Sequence, residues 1–160
     1  MSRSSCATLL AGLLLSSPVM PVVAAAPQAH TAATVSVSGP WVRLPPPAAN
    51  VAAGYVLLHN GGADDRLLSA ASSMFAEVQI HAMRMDGEVM RMQALPDGLA
   101  LPGGQTVALE PGGYHLMLLK PKRPLSAGQT VRVRLQFARS APQVVEFSVR
   151  DGLVLHGAAK

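Results

Sequence analysis

The stretch EVQIHAMRMDGEVMRMQAL, residues 77–95, decides how the chain folds. Its two arms, Glu77 to Met85 and Glu88 to Leu95, alternate with period two around Asp86-Gly87. That dipeptide is a favoured two-residue type I′ hairpin turn. With that turn, Met85 is expected to face Glu88, Met83 to face Met90 and His81 to face Met92. Strand parity then puts His81, Met83, Met90 and Met92 on one face of the hairpin, and Arg84, Val89 and Arg91 on the other. Directly opposed side chains have Cβ atoms roughly 4.5–5.5 Å apart, so the turn alone gathers one imidazole and several thioethers.

Outward from the hairpin the same grammar repeats. Upstream lie the β-type runs Thr34–Ser38, Trp41–Leu44, Gly54–His59 and Arg66–Ala71. Downstream lie Gln105–Glu110, Tyr114–Lys120, Thr130–Phe137 and Val144–Val149. Between them stand Gly39-Pro40, Pro45-Pro46-Pro47, Asn60-Gly61-Gly62, Pro96-Asp97-Gly98, Pro102-Gly103-Gly104 and Pro111-Gly112-Gly113. Short strands at regular spacing with turn signals between them predict an all-β antiparallel sandwich or barrel, without a helix of useful length.

The 160 residues are 49% hydrophobic and 14% charged, enough apolar matter for one folded core and too little charge for disorder. With 4% aromatic residues and a formal charge of +4, the stacking platforms and basic stripe of a nucleic-acid binder are missing. The first residues read as a secretory leader: Arg3, an apolar run from Ala7 to Leu15, then Ser16-Ser17-Pro18 and Val22-Val23-Ala24-Ala25-Ala26. The apolar run is shorter than the roughly 20 residues that span a bilayer. The expected organisation is a signal peptide over 1–25 (cut after Ala24 or Ala25), a flexible start over 26–33, one domain over 34–151 and a tail over 152–160. The only cysteine, Cys6, falls inside the leader, too far upstream of the cut to be a lipid-anchored first residue. The exported chain would then have no thiolate for a nucleophile, an iron–sulfur cluster or a blue-copper centre. Catalytic patterns are also missing: no Gly-x-Ser-x-Gly occurs, and Asp64-Asp65 has no partner set.

The candidate chemistry lies in the histidines and methionines. His115 and Met117 are one residue apart, so a strand presents both on one face while Leu116 and Leu118 point into the core. If that strand and the hairpin share a rim, two imidazoles and two or more thioethers meet. Neutral, soft thioether sulfur suits Cu(I) and is a poor ligand for Mg²⁺, Ca²⁺ or Mn²⁺. Zinc sites draw instead on Cys, His and carboxylate. The remaining histidines are outside this set: His59 ends a strand beside a glycine turn, and His30 and His156 lie near the termini.

His81, ten residues, Met92, twenty-two residues and His115-Leu116-Met117 form a spacing that closely resembles the motif of the periplasmic PCuAC-type copper(I) chaperones. Glu88-Val89-Met90-Arg91-Met92, Pro102-Gly103-Gly104, Pro111-Gly112-Gly113-Tyr114, Gly54-Tyr55 with Asn60-Gly61-Gly62, and Trp41 add to the likeness, which runs from about Val35 to Val149. The resemblance implies a cupredoxin-like Greek-key β-sandwich in the periplasm that binds one Cu(I) per chain and is not an enzyme. It implies His81, Met92, His115 and Met117 as ligands; the hairpin face adds Met83 and Met90, as opposed partners, as lining of the site or alternative ligands. It also implies delivery of copper for assembly of the CuA centre of cytochrome c oxidase, to subunit II or through a thioredoxin-like copper protein, by a monomer. Two departures stand out: Ala82 follows His81 where some relatives carry Met, and the tail holds only His156, so no tail-borne Cu(II) site is expected. A metal-independent envelope binding module and a copper buffer for resistance are the alternative readings.

Overall fold

The computed structural model describes residues 35–152. The expected leader and its cut, Cys6, His30 and His156 lie outside the described residues. Ten strands follow one another, with no helix among the described residues: β1 (Val35–Arg43), β2 (Val51–Asn60), β3 (Asp65–Ala71), β4 (Phe75–Asp86), β5 (Val89–Ala94), β6 (Leu99–Leu101), β7 (Thr106–Leu109), β8 (Tyr114–Pro121), β9 (Thr130–Phe137) and β10 (Gln143–Arg150).

The strands form one hydrogen-bonded ladder in the order β5-β4-β8-β7-β2-β1-β10-β9-β3-β6, with β8 also pairing β2. The ladder folds over on itself, because β3 and β4, near its opposite ends, touch without pairing. Residues alternate along the strands, so one side of each layer fills a common core: Leu58 from β2, Leu116 and Leu118 from β8, Val131, Val133 and Leu135 from β9, and Phe147 from β10 are fully buried.

Three details differ from the sequence reading. Two ladders are parallel, β1 with β10 and β7 with β8, which sets the first and last strands of the domain side by side. Gly39-Pro40 does not end β1; the strand runs through it with a register irregularity between Ser38 and Trp41, since proline is tolerated at a bulge. Finally, β6 is an additional strand whose three residues bury Leu99 and Leu101 between two turns.

The turns are stapled as well as punctuated. Asn60, wholly buried, donates from Nδ2 to the carbonyls of Ala63 (2.8 Å) and Leu101 (2.7 Å), and its Oδ1 accepts from the Gly62 amide. Its carbonyl accepts from Gly104 N at 2.7 Å. One asparagine thus ties Asn60-Gly61-Gly62 to Pro102-Gly103-Gly104. Gly98 is equally constrained: φ is +79° and a Cβ there would collide with the Leu67 carbonyl oxygen. Gly98→Ala is therefore expected to lose more than the roughly 1–2 kcal/mol of left-handed strain alone, because the β3 backbone must also move. A denaturant midpoint within error of the parent would contradict this.

Candidate metal centre

The hairpin between β4 and β5 supplies half of the candidate site, and its register differs from the expected one. Asp86 pairs Val89, Met85 pairs Met90, Met83 pairs Met92 and His81 pairs Ala94. The turn is Gly87-Glu88, not Asp86-Gly87, with φ +63° at Gly87 and no positive φ at Glu88. A type II′ turn takes glycine at its first central position, and Gly87 fills that place as well as it would fill the second place of a type I′ turn. The shift is two residues, so each side chain keeps its face. Its partner changes: Met92 lies diagonally from His81, and Met83 opposes Met92 instead of Met90. Arg84 and Arg91 now oppose one another, and the Asp86 carboxylate takes the Arg91 guanidinium at 2.7 Å.

β8 supplies the other half. His115 stands directly opposite His81, and Met117 opposite Gln79. The imidazole centroids are 5.7 Å apart at an interplanar angle of 47°, and both histidines are buried. Leu116 and Leu118 are fully buried on the core side, as the His-x-Met step predicts. Met92, His115 and Met117 line one cavity of about 210 Å³, whose far wall is Leu44, Pro45 and Pro46 from the β1–β2 loop. Met90 does not reach it; it lies one rung toward the hairpin tip, opposite Met85.

The imidazole nitrogens are sorted by their partners. Gln79 Nε2 donates to Glu77 Oε1 at 2.7 Å, which turns Gln79 Oε1 toward His81 Nε2 at 2.8 Å. His81 Nε2 must therefore carry the proton. Its Nδ1 keeps the lone pair and is buried without a hydrogen-bond partner. On His115, Nδ1 lies 3.3 Å from the Gly113 carbonyl, so it donates there and leaves Nε2 with the free lone pair. An orphaned buried nitrogen is costly unless something occupies it, and a metal ion is the occupant that this donor set suits. Among the described residues no three His, Cys, Asp or Glu side chains are grouped to hold a metal. The donors beside the two imidazoles are the Met92 and Met117 thioethers, and thioether sulfur favours a soft monocation such as Cu(I).

Burial disfavours the charged ring of His81, and the neighbouring His115 adds to the effect, holding its pKa below the ordinary imidazole value. Between about pH 6.5, where an unfolded histidine protonates, and the lower folded value, the unfolded chain binds more protons than the native one. Metal-free stability is thus expected to fall as pH drops through that window and to be insensitive to His81 above it. Urea midpoints from pH 7.5 to 5 test this, with His81→Gln giving the flatter profile.

Other candidates resolve as structural. Asp65 is buried: burial raises its carboxyl pKa, but hydrogen bonds from the Ser140 hydroxyl and the Arg66, Ser140 and Arg139 amides outweigh this and leave it lowered. His59 is exposed, with Nδ1 3.1 Å from the Thr106 hydroxyl. The sequence reading missed the Leu44–Pro46 wall and the Gln79 support. A Pro-rich loop can be read as a boundary but not as a lid, and Gln79 is simply a polar residue on a strand.

A curled β-sandwich presenting paired imidazoles and thioethers along one rim defines a PCuAC-type, cupredoxin-like domain. Residues 35–149 match the family described as "Putative lipoprotein LpqE-like", and the chain belongs to that family. "Putative lipoprotein Lxx21020" of Leifsonia xyli subsp. xyli is 33% identical over 117 residues, 73% of this chain and 70% of the relative. Among solved structures, CuI-DR1885 from Deinococcus radiodurans has 28% identity and a TM-score of 0.63, covering 78% of this chain and 85% of that one. The apo PCuAC domain from PmoF1 has 25% identity and a TM-score of 0.62, covering 74% and 97%.

Proposed function

We propose that the protein is a periplasmic carrier that binds one Cu(I) through His81, Met92, His115 and Met117 and hands it on for assembly of the CuA centre of cytochrome c oxidase. The observation that carries this reading is the pairing of His81 with His115 beside a cavity to which Met92 and Met117 both contribute. The relatives add support, since CuI-DR1885 is a Cu(I) form.

The chemistry fits cargo better than catalysis. Two neutral imidazoles and two thioethers leave a bound Cu(I) as a monocation, a charge the site tolerates better than that of Cu(II). Without thiolate, the ion is held by ligands that a recipient with stronger donors can displace one at a time. Acid weakens the grip at the imidazoles and leaves the thioethers untouched. Subunit II of the oxidase, or a thioredoxin-like copper protein, fits as recipient, with this chain acting as a monomer and performing no turnover. The lipoprotein names of its relatives agree with export.

The test is a melting curve under reducing conditions with and without one equivalent of Cu(I). A native-state ligand at about 100 times its Kd adds roughly 2.7 kcal/mol of stability, so a clear rise is expected. No rise would favour the metal-independent binding module, to which the exposed side chains of Met85, Val89, Met90 and Met92 would otherwise be suited. Oxidase activity in a deletion strain grown on low copper separates delivery, which predicts a loss, from a copper buffer, which does not.

A further inference from the structure

The tip of the β4–β5 hairpin carries thioethers that the buried site does not use. Beyond Ala82, which pairs Tyr114, β4 keeps one more bond on that side, from Met83 N to the Gly113 carbonyl at 3.2 Å, and from Arg84 to Asp86 it pairs β5 alone, the edge of the sheet. On this two-stranded arm Met85 faces Met90 and Met83 faces Met92. A two-residue loop makes Asp86–Val89 the hydrogen-bonded closing pair. Met85–Met90 and Met83–Met92 are then non-hydrogen-bonded pairs, the kind whose side chains stand closer. All four sulfurs project from one face, in rungs about 7 Å apart, and the next rung is His81.

Packing does not account for three of them, Met83 being half-buried. Met85 is 61% exposed, Met92 50% and Met90 48%, whereas methionine used as filler is buried. Met83 and Met85 also border an open recess of about 650 Å³ shared with Arg84, Glu110 and Tyr114. Glu110 and Arg84 offset one another in charge there, so what favours a soft monocation at the tip is the neutral thioether sulfur itself. Arg91, on the opposite face by strand parity, is held by the Asp86 carboxylate at 2.7 Å.

We propose that Met83, Met85 and Met90 form a second, thioether-only site for a soft d¹⁰ monocation, Cu(I) or Ag(I), at the exposed tip. Its Met85–Met90 rung lies one rung from Met92 and two from His81, and Met83 faces Met92 directly. Its use as a way-station for the cargo rests on the carrier reading above; the site itself does not. Without imidazole it holds the ion more weakly than the buried centre, and its occupancy does not depend on pH above the range of carboxylate titration. Ligand exchange along the arm, sulfur by sulfur, moves the ion between solvent and the histidines without any redox change.

The experiment is an Ag(I) titration of the protein with methyl-¹³C methionine, following each ε-methyl resonance. Two steps are expected: Met92 and Met117 move with the first equivalent, and Met85, Met90 and Met83 with the second. Met85→Leu with Met90→Leu should remove the second step and leave the first. His81→Ala with His115→Ala should remove the first and keep a tip step that is the same at pH 5.5 and pH 7.5. Tip methyls that stay fixed through several equivalents, or a second step that survives the double leucine variant, would overturn the proposal. A first step indifferent to both histidines would instead overturn the buried site and leave the tip standing.

Discussion

Tight Cu(I) binding is expected to disappear when His81→Ala is combined with Met117→Ala, while the metal-free domain still folds. The two side chains reach the rim from different strands, β4 and β8, and removing both leaves one imidazole and one thioether. Loss of a supporting residue around a metal typically costs 10–100-fold in affinity. Loss of two donors should exceed that and leave no stoichiometric binding at micromolar protein. The fold should tolerate the change. Met117 lies at the cavity rather than in the core, and His81→Ala removes a nitrogen that has no partner in the metal-free protein. Competition titration with a Cu(I) chelator reads the affinity and circular dichroism reads the fold. Unchanged affinity in a folded double variant would contradict the ligand assignment.

Phe147→Ala should produce the largest loss of stability. Its side chain is wholly buried among core residues of both layers. Its ring lies 3.7 Å from where a Cβ on Gly54 would sit, beside Leu116 and Leu118. Truncating a buried phenylalanine costs about 3–5 kcal/mol, which for a domain of this size lowers Tm by on the order of 10 °C. Leu116 and Leu118 are the core-facing neighbours of His115 and Met117 on β8, so the same cavity loosens the strand that presents two of the four proposed donors. A fall in Tm of under about 2 °C would show that the core does not depend on this ring.

Much of this arrangement was legible in the sequence because it rests on parity. Period-two alternation and Gly/Pro punctuation predict nine of the ten strands, and β6 escapes because three residues between two turns carry no periodicity. Parity likewise puts His81, Met83 and Met92 on one face and His115 with Met117 on another. Register was not legible. Asp86-Gly87 and Gly87-Glu88 both satisfy hairpin turn chemistry, so the partner of each methionine could be fixed only by the folded pairing. The approach of β8 to β4, with His115 opposite His81, joins residues 34 positions apart; no local rule contains it, and the family resemblance supplied that expectation. Least visible of all were the Leu44–Pro46 wall, which exists only once the strands have been placed, and the Glu77–Gln79–His81 relay, which parity allows but only side-chain rotamers reveal.

The carrier account stands on four donors meeting at one ion. X-ray absorption at the copper edge of the Cu(I)-loaded protein counts them and tells nitrogen from sulfur. Two nitrogen and two sulfur neighbours are predicted, falling to one of each in the His81→Ala, Met117→Ala variant if any metal remains. A first shell with no sulfur, or one unchanged by those substitutions, would contradict the account.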